Sequence, residues 1–378
     1  MYLYIIVYVR CWRHVFSISN YRVEKLNLNL KKERLIEILG SFRNLNVGII
    51  GDFALDAYWY ADMTRSEISR ETPRFIRPVI KETYSPGGAG NVANNVKALK
   101  VNKVFGVTVF GDDWRGAILR KELEKAGISL EYSIISEDRI TQTYVKPILM
   151  GYEVQQEDNR IDFININDLS EKIERDLIIM IEKCLKEVNV LLLADYLRHG
   201  VFTNKVRRKL NELAIEYERK IFVADSRTRI GHYKGMALKP NRIEAARAAF
   251  PMRDPQSFSL KDLEKVGRKL FRQAGKPVVI TIGAEGALLF TKKENFHILA
   301  APTAPPIDPV GAGDTFLASF GLCLGVNAEP WEAAAIANLA ASVIIKKLNI
   351  TGTASPEEII TKFEEIKKFW RDWPSQKT

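Results

Sequence analysis

From Leu30 to Leu39 the apolar residues recur at helical spacing (L-x-x-x-R-L-I-E-I-L), and Gly40 ends the run. Beyond it, short apolar runs bounded by Gly or Asp alternate with longer stretches of helical period. The runs are Val47–Ile50, Val104–Phe110, Val190–Ala194, Ile221–Ala224, Val278–Ile282 and Ala287–Phe290. The periodic stretches lie at about 91–100, 115–126, 170–187, 203–218, 242–249, 260–274, 314–324 and 331–347. Runs such as V-L-L-L-A lack polar alternation, as strands buried on both sides do. The alternation predicts an α/β fold: a Rossmann-like, mostly parallel sheet with helices on both faces.

Two stretches break the rhythm. Residues 62–84 (containing R-F-I-R-P-V-I-K-E-T-Y) and 141–160 (T-Y-V-K-P-I-L-M) alternate apolar and polar positions, and neither has a helix between its own strands. They predict a small antiparallel β-sheet that projects from the body as a lid, because long excursions in compact domains are usually functional.

Composition narrows the class. The chain has 378 residues, enough for two domains or for one large α/β domain with an insertion. Hydrophobic content of 46% and charged content of 27% are globular values. Cys11, Cys184 and Cys323 form no C-x-x-C pair, which excludes a disulfide framework and a zinc ribbon and suits a reducing cytoplasm. His14, His199, His232 and His297 offer no H-x-x-x-H spacing for a metal. Half of the net charge of +10 sits in residues 1–46, which carry eight Lys/Arg against three Glu. The rest forms no basic block interleaved with aromatics, so no nucleic-acid partner is expected. The apolar start, Met1 to Val9, is broken by Arg10 and is too short to span a bilayer, and its basic residues follow rather than precede it, unlike a secretory signal. Residues 1–40 read as an N-terminal extension, with 1–25 either disordered or translated from a misassigned start.

The strongest chemical signal is Asp308-Pro-Val-Gly-Ala-Gly-Asp-Thr-Phe316, which opens an apolar helix. Gly311, Ala312 and Gly313 allow a tight turn whose N–H groups point outward. A helix start adds partial positive charge, so the turn suits a phosphate or a developing oxyanion. Asp314 then stands beside that anion, able to take a proton from an attacking hydroxyl; alternatively it only caps the helix. A second glycine cluster, Gly87, Gly88 and Gly90, precedes Asn91 in S-P-G-G-A-G-N-V-A-N-N. It permits close backbone approach to a ligand, and Asn91 offers both donor and acceptor to hydroxyls. The spacing is not that of a dinucleotide turn.

Asp52 and Asp56 sit at the end of the first strand, where open α/β sheets collect ligands, and could hold sugar hydroxyls. In Leu238-Lys-Pro-Asn-Arg-Ile-Glu-Ala245, Asn241 and Glu244 are three apart on an opening helical turn. They could keep water on Mg²⁺ beside nucleotide phosphates, or they form a capping box. Thr281-Ile-Gly-Ala-Glu-Gly286 leaves a buried strand with two glycines, as a nucleotide-phosphate turn would.

In this order the five signals resemble the PfkB/ribokinase family of carbohydrate kinases over about residues 45–360. Within it, G-D-F-A-L-D-A-Y-W-Y, S-P-G-G-A-G-N-V-A-N-N-V, A-D-Y-L-R-H-G and Y-K-G-M-A-L-K-P-N-R-I-E-A are most similar to the heptose-7-phosphate kinases. The resemblance implies a ribokinase-like kinase domain over 41–365, a β lid, a tail over 366–378, and ATP with Mg²⁺. It implies Asp314 as catalytic base with Gly311, Ala312 and Gly313 as anion hole. Asn241 and Glu244 would serve the Mg-nucleotide, with Glu244 reaching the metal through water. Thr281, Gly283 and Gly286 would contact nucleotide phosphate, and Asn338 would border the adenine pocket. Asp52, Asp56, Gly87, Gly88 and Asn91 would hold the sugar. A cytoplasmic enzyme pairing as a homodimer through its lid is the matching expectation.

The chain also departs from the pattern. Ser69-Arg-Glu-Thr-Pro-Arg-Phe-Ile-Arg-Pro78 replaces a proline-punctuated lid segment, Asp225-Ser-Arg227 stands where D-P-K is frequent, and D-Y-x-K-G is expanded around Asp195. A nucleotidyltransferase half is not expected after residue 360. Arg70, Arg74 and Arg77 in the lid could meet a phosphate already on the substrate, favouring a sugar phosphate such as D-glycero-D-manno-heptose 7-phosphate. A kinase of fructose- or ribose-like sugars or of nucleosides, and a non-catalytic binding regulator on the same fold, are the alternatives.

Overall fold

The computed structural model describes residues 29–305, 307–347, 352–369 and 373–374. The reading of residues 1–25 therefore lies outside the described residues. The chain opens with helix α1 (Lys32–Ser41), then β1 (Asn46–Gly51), β2 (Phe53–Asp62), β3 (Val79–Gly88) and α2 (Ala89–Ala98). β4 (Lys103–Val107), β5 (Val109–Gly111), α3 (Trp114–Lys125) and β6 (Ile134–Ser136) lead to β7 (Thr143–Met150), β8 (Gln155–Glu157) and β9 (Ile161–Phe163). Next come α4 (Glu171–Glu187), β10 (Val190–Asp195), α5 (Asn204–Glu216), β11 (Ile221–Ser226), β12 (Ala237–Leu238), α6 (Arg242–Ala249) and α7 (Leu260–Ala274). The chain continues through β13 (Val278–Thr281), β14 (Ala287–Phe290), β15 (Asn295–Ile298), α8 (Ala312–Gly325), α9 (Pro330–Ile344) and α10 (Pro356–Phe369).

The main sheet runs β15-β14-β13-β12-β11-β10-β1-β4. It is parallel from β4 through β13 and antiparallel only at the β14 and β15 edge. The unbroken apolar strand β10 shows why. Val190, Leu192 and Ala194 join a core with α1, α2, α8 and α9, whereas Leu191 and Leu193 join a second core with α4, α5 and α7. Each strand residue thus meets helices whichever way it points.

α1 belongs to this body. Leu35, Ile38 and Leu39 are buried, and Arg34 grips Glu332 of α9 with two hydrogen bonds of 3.0 and 3.1 Å. The extension expected over 1–40 therefore ends before residue 30. At the other end, α10 continues past residue 365, and Trp373 buries its ring while its indole N–H donates to the Leu299 carbonyl at 3.1 Å. The expected tail is in part core.

The two irregular stretches supply β3, β7 and β8 of the second sheet, β3-β2-β7-β8 with β9 also on β7, while β2 leads into the first stretch and β9 follows the second. The sheet is mixed rather than antiparallel, since β2 and β7 run parallel over Leu55–Asp62. β2 enters this sheet one residue after β1 ends, so the first body strand feeds directly into the lid. The expected strand 104–110 divides at Thr108, whose hydroxyl donates to the Gly51 carbonyl at 2.8 Å. Among the described residues, no helix is long and apolar enough to cross a membrane.

Candidate active site

The carboxyl ends of β10, β11, β12 and β13 open under the lid onto a cavity of about 740 Å³. Of the residues expected to form a site, it gathers Asp56, Gly87, Gly88, Asn91, Asn241, Glu244, Thr281, Gly283, Gly311, Gly313 and Asp314. Segments more than two hundred residues apart in sequence meet there.

At its floor lies the start of α8. Gly311 takes the left-handed conformation, φ 79°, that glycine adopts without strain. The Ala312 N–H turns back to the Pro309 carbonyl at 3.2 Å, so the first-turn amides of Gly313 and Asp314 are the ones left for an anion. Asp314 is held at both oxygens: Asn91 donates to Oδ2 at 2.7 Å and the Tyr196 hydroxyl to Oδ1 at 2.8 Å. Burial pushes the carboxyl pKa up, and the two hydrogen bonds restrain that rise. Such a carboxylate is oriented and more basic than usual, as proton removal from an alcohol requires.

Beside it a buried ion pair joins Lys239 and Asp225 at 2.8 Å. Burial works against the ammonium, but Asp225 and Glu244 outweigh it and keep the Lys239 pKa raised. Its Nζ lies 3.6 Å from the place a Gly313 Cβ would take, so a fixed positive charge adjoins the helix start. Lys239 and Tyr196 are absent from the expected set, although L-K-P-N-R-I-E and A-D-Y-L-R-H-G contain them. The signal was present in the motifs, but only the tertiary fold brings either side chain to Asp314.

At one end of the cavity Asn241 caps α6. Its side-chain oxygen accepts from the Ile243 and Glu244 amides at 2.9 Å, and Glu244 Oε2 accepts from the Asn241 amide at 2.7 Å. The capping box and the cavity lining are the same two residues. Burial and then the neighbouring Asp225 push the Glu244 pKa up to about 7. Thr281 is drawn alongside, its N–H donating to the Pro240 carbonyl at 3.0 Å.

The other end belongs to the lid. Lys146 on β7 pairs with Asp56 on β2 at 3.3 Å and donates to the Tyr58 hydroxyl at 3.2 Å. Gly87 is required here, because a Cβ would collide with the Asp56 carboxylate. Arg160 and Arg227 also line this end. The lid arginines expected to meet a phosphate do not: Arg70 and Arg74 are exposed away from the cavity, and Arg77 pairs with Asp158.

Four expected residues lie elsewhere or face another way. Asp52 is buried off the cavity and accepts the N–H groups of Tyr196, Leu197 and Val201, each at 2.8 Å. Asn338 ties α9 to β15 through the Ile298 and Leu299 carbonyls at 3.3 and 3.2 Å. Gly286 turns the chain at φ 97° against the backbone of Ile298. Ala312 is committed to its turn.

A sequence profile of the pfkB family carbohydrate kinases matches residues 57–358. The chain belongs to that family. It is therefore a sugar kinase. The bifunctional protein HldE of Aliarcobacter butzleri is 33% identical over 85% of this chain and 68% of its own length. The proteins of that name from Desulfatibacillum aliphaticivorans and Campylobacter jejuni are 29% and 31% identical over 86% and 85% of this chain. The chain spans only about two-thirds of these curated relatives' length, 64% of each of the latter two. Among solved structures, Arabidopsis thaliana ribokinase complexed with ribose and ATP superimposes with a TM-score of 0.63 at 17% identity, over 85% of this chain and 99% of that one. Escherichia coli phosphofructokinase-2 gives 0.64 at 19%, with the same coverage. The ribokinase-like fold is common to all three.

Proposed function

We propose that this pfkB kinase transfers the γ-phosphoryl group of ATP to a hydroxyl of a sugar phosphate of the heptose 7-phosphate class. The observation that carries the reading is Asp314, aimed into the cavity by Asn91 and Tyr196 at the first turn of α8. The nucleotide phosphates occupy the end lined by Asn241, Thr281 and Gly283, and the sugar lies between Asp56, Gly87, Gly88 and Asn91. The substrate hydroxyl gives its proton to Asp314 as its oxygen forms a bond to phosphorus and the bond to ADP breaks. The Gly313 and Asp314 amides and Lys239 face the charge that the transferring group spreads over its oxygens. Positioning and electrostatics do most of this work in phosphoryl transfer.

Glu244 fits a divalent ion held mainly by phosphates and water. One of its oxygens remains outside the capping box, and Asp225 makes its negative charge costly to bury. Asp225 is already matched by Lys239. Among the described residues no three acidic, His or Cys side chains could hold a metal alone. Mg²⁺ would supply further charge neutralisation on the nucleotide phosphates, and Glu244 would hold its water.

A substrate that already carries phosphate is supported by Lys146, Arg160 and Arg227 at the sugar end, and the HldE relatives support a heptose. Exposed apolar lid residues, Phe75 and Ile80 among them, support pairing of two copies through the lid. A coupled ADP-release assay over heptose 7-phosphate, heptose, fructose, ribose and adenosine tests the reading. Heptose 7-phosphate turns over fastest, and Asp314→Asn lowers kcat about 10²–10⁴-fold. Equal rates on heptose and its phosphate would discard the phosphate preference, and an unimpaired Asp314→Asn enzyme would discard the base.

A further inference from the structure

The Tyr196 hydroxyl stands between two carboxylates, 2.8 Å from Asp314 Oδ1 and 3.3 Å from Asp225 Oδ2. It has one hydrogen and can donate to only one of them at a time. The phenol does not ionise to relieve the crowding, since burial and both carboxylates raise its pKa well above the ordinary value. Its oxygen is also fixed. Asp52 Oδ2 accepts the N–H groups of Tyr196 and Leu197 at 2.8 Å, Arg229 donates to the Leu197 carbonyl at 2.5 Å, and the Arg227 guanidinium lies 5.1 Å from the ring centroid. Only the hydroxyl hydrogen is free to choose.

The far side of Asp314 is built just as firmly. Asn91, which holds Oδ2, is braced by Asn95 at 3.1 Å, and Asn95 in turn accepts from the Thr315 hydroxyl at 2.7 Å. The charged groups around the base are Asp225 and Arg227 from the end of β11, Lys239 after β12, Glu244 on α6, and Asp56 with Lys146 across the cavity on the lid. Of these, Asp225 alone shares a donor with Asp314, and it is also ion-paired with Lys239 at 2.8 Å.

Resting on the reading of Asp314 as the base, we infer that Tyr196 is a positioning residue of the transfer. Its hydrogen bond holds Asp314 while that group is an anion, and turns to Asp225 once Asp314 has taken the substrate's proton. The proton count is simple. One proton moves from the sugar hydroxyl to Asp314 Oδ1, the new Asp314 O–H donates to the phenol oxygen, and the phenol keeps its own hydrogen and redirects it. Asp52, expected to bind sugar, serves the same device from behind by fixing the backbone of Tyr196.

The test is the pH dependence of kcat and KM for Tyr196→Phe, with Asp314→Asn assayed in parallel on ATP and heptose 7-phosphate. Losing a hydrogen bond to a charged group predicts kcat lower by about 10–100-fold, with both KM values little changed. The acid limb of the pH–rate profile moves to higher pH, because the ionised base has lost a donor. A loss of packing alone would not move that limb. Replacing Tyr196 by 3-fluorotyrosine keeps the shape and strengthens the donor, so the limb moves to lower pH even if the phenylalanine variant folds poorly. A kcat and acid limb unchanged in Tyr196→Phe, or a limb unmoved by fluorotyrosine, overturns the inference. Full activity in Asp314→Asn would instead remove the base beneath it.

Discussion

Three backbone amides converge on the Asp52 carboxylate, yet burial, with Asp195 nearby, pushes its pKa up to about 6 from 3.8. A raised folded-state pKa means that the native protein binds this proton more tightly than the unfolded chain. The corresponding stability is fully present below about pH 4 and disappears as pH rises through about 6. The shift corresponds to about 3 kcal/mol at 1.36 kcal/mol per unit. Asp52→Asn cannot titrate, so its deficit relative to the unsubstituted protein should be larger at pH 5 than at pH 7.5 in urea unfolding. A deficit equal at both pH values would rule out Asp52 as the source. The same residue shows where sequence reasoning stops. G-D-x-x-x-D places two carboxylates at a strand end, but only Asp56 faces the cavity, because β2 carries it into the lid. Asp52 has been claimed by the 196–201 backbone, a partner that local spacing cannot reveal.

Helix starts organise the site at the next scale. The capping box on α6 was legible because its hydrogen bonds span only three residues. The capping and the metal-serving readings of Asn241 and Glu244 need not compete, since one Glu244 oxygen caps and the other is left. Glu244→Gln retains an oxygen for the cap and removes a carboxylate whose pKa burial has raised to about 7. At pH 8 the melting midpoint should therefore stay level or rise, while the Mg²⁺ concentration for half-maximal rate increases severalfold. A variant with normal Mg²⁺ dependence would leave Glu244 as a cap alone. At α8, Gly311→Ala puts a Cβ on a residue at φ 79°, at a cost of about 1–2 kcal/mol. Stability should fall by about that amount, and kcat should fall while KM for the sugar holds, because the disturbed turn faces the transferring group. An equal rise in both KM values would place the damage elsewhere. Elements such as β12 and β15 were not legible: two and four residues long, they are strands only because their neighbours in the sheet pair with them. α1 was legible as a helix but not as core, since its partner Glu332 lies 298 residues away.

For the whole molecule, the order of elements sufficed for the body, because a parallel sheet covered by helices has few alternatives once strands and helices alternate. The lid is different. Its β2–β7 pairing is parallel and joins segments separated by a helix-containing excursion, so period-two patterns could mark the strands but not their order. The lid also leaves apolar side chains outside. Val79 and Ile80 are both exposed, although successive strand residues point to opposite faces, so neither face of β3 is covered there. Ile68 and Phe75 on the same excursion are more than 60% exposed. A second copy covering these positions would account for them, and the cost of disrupting it should be confined to the lid. Phe75→Glu combined with Ile80→Glu should therefore halve the mass measured by light scattering at micromolar concentration while leaving the melting of the body in place. The isolated copy should also show a higher KM for the sugar than for ATP relative to the unsubstituted enzyme, because Asp56, Lys146 and Arg160 all hang from lid strands or the turn between them, whereas the nucleotide end rests on the body. If the unsubstituted protein already has the mass of one chain, lid pairing is wrong; if both KM values rise together, the lid does not act on the sugar end.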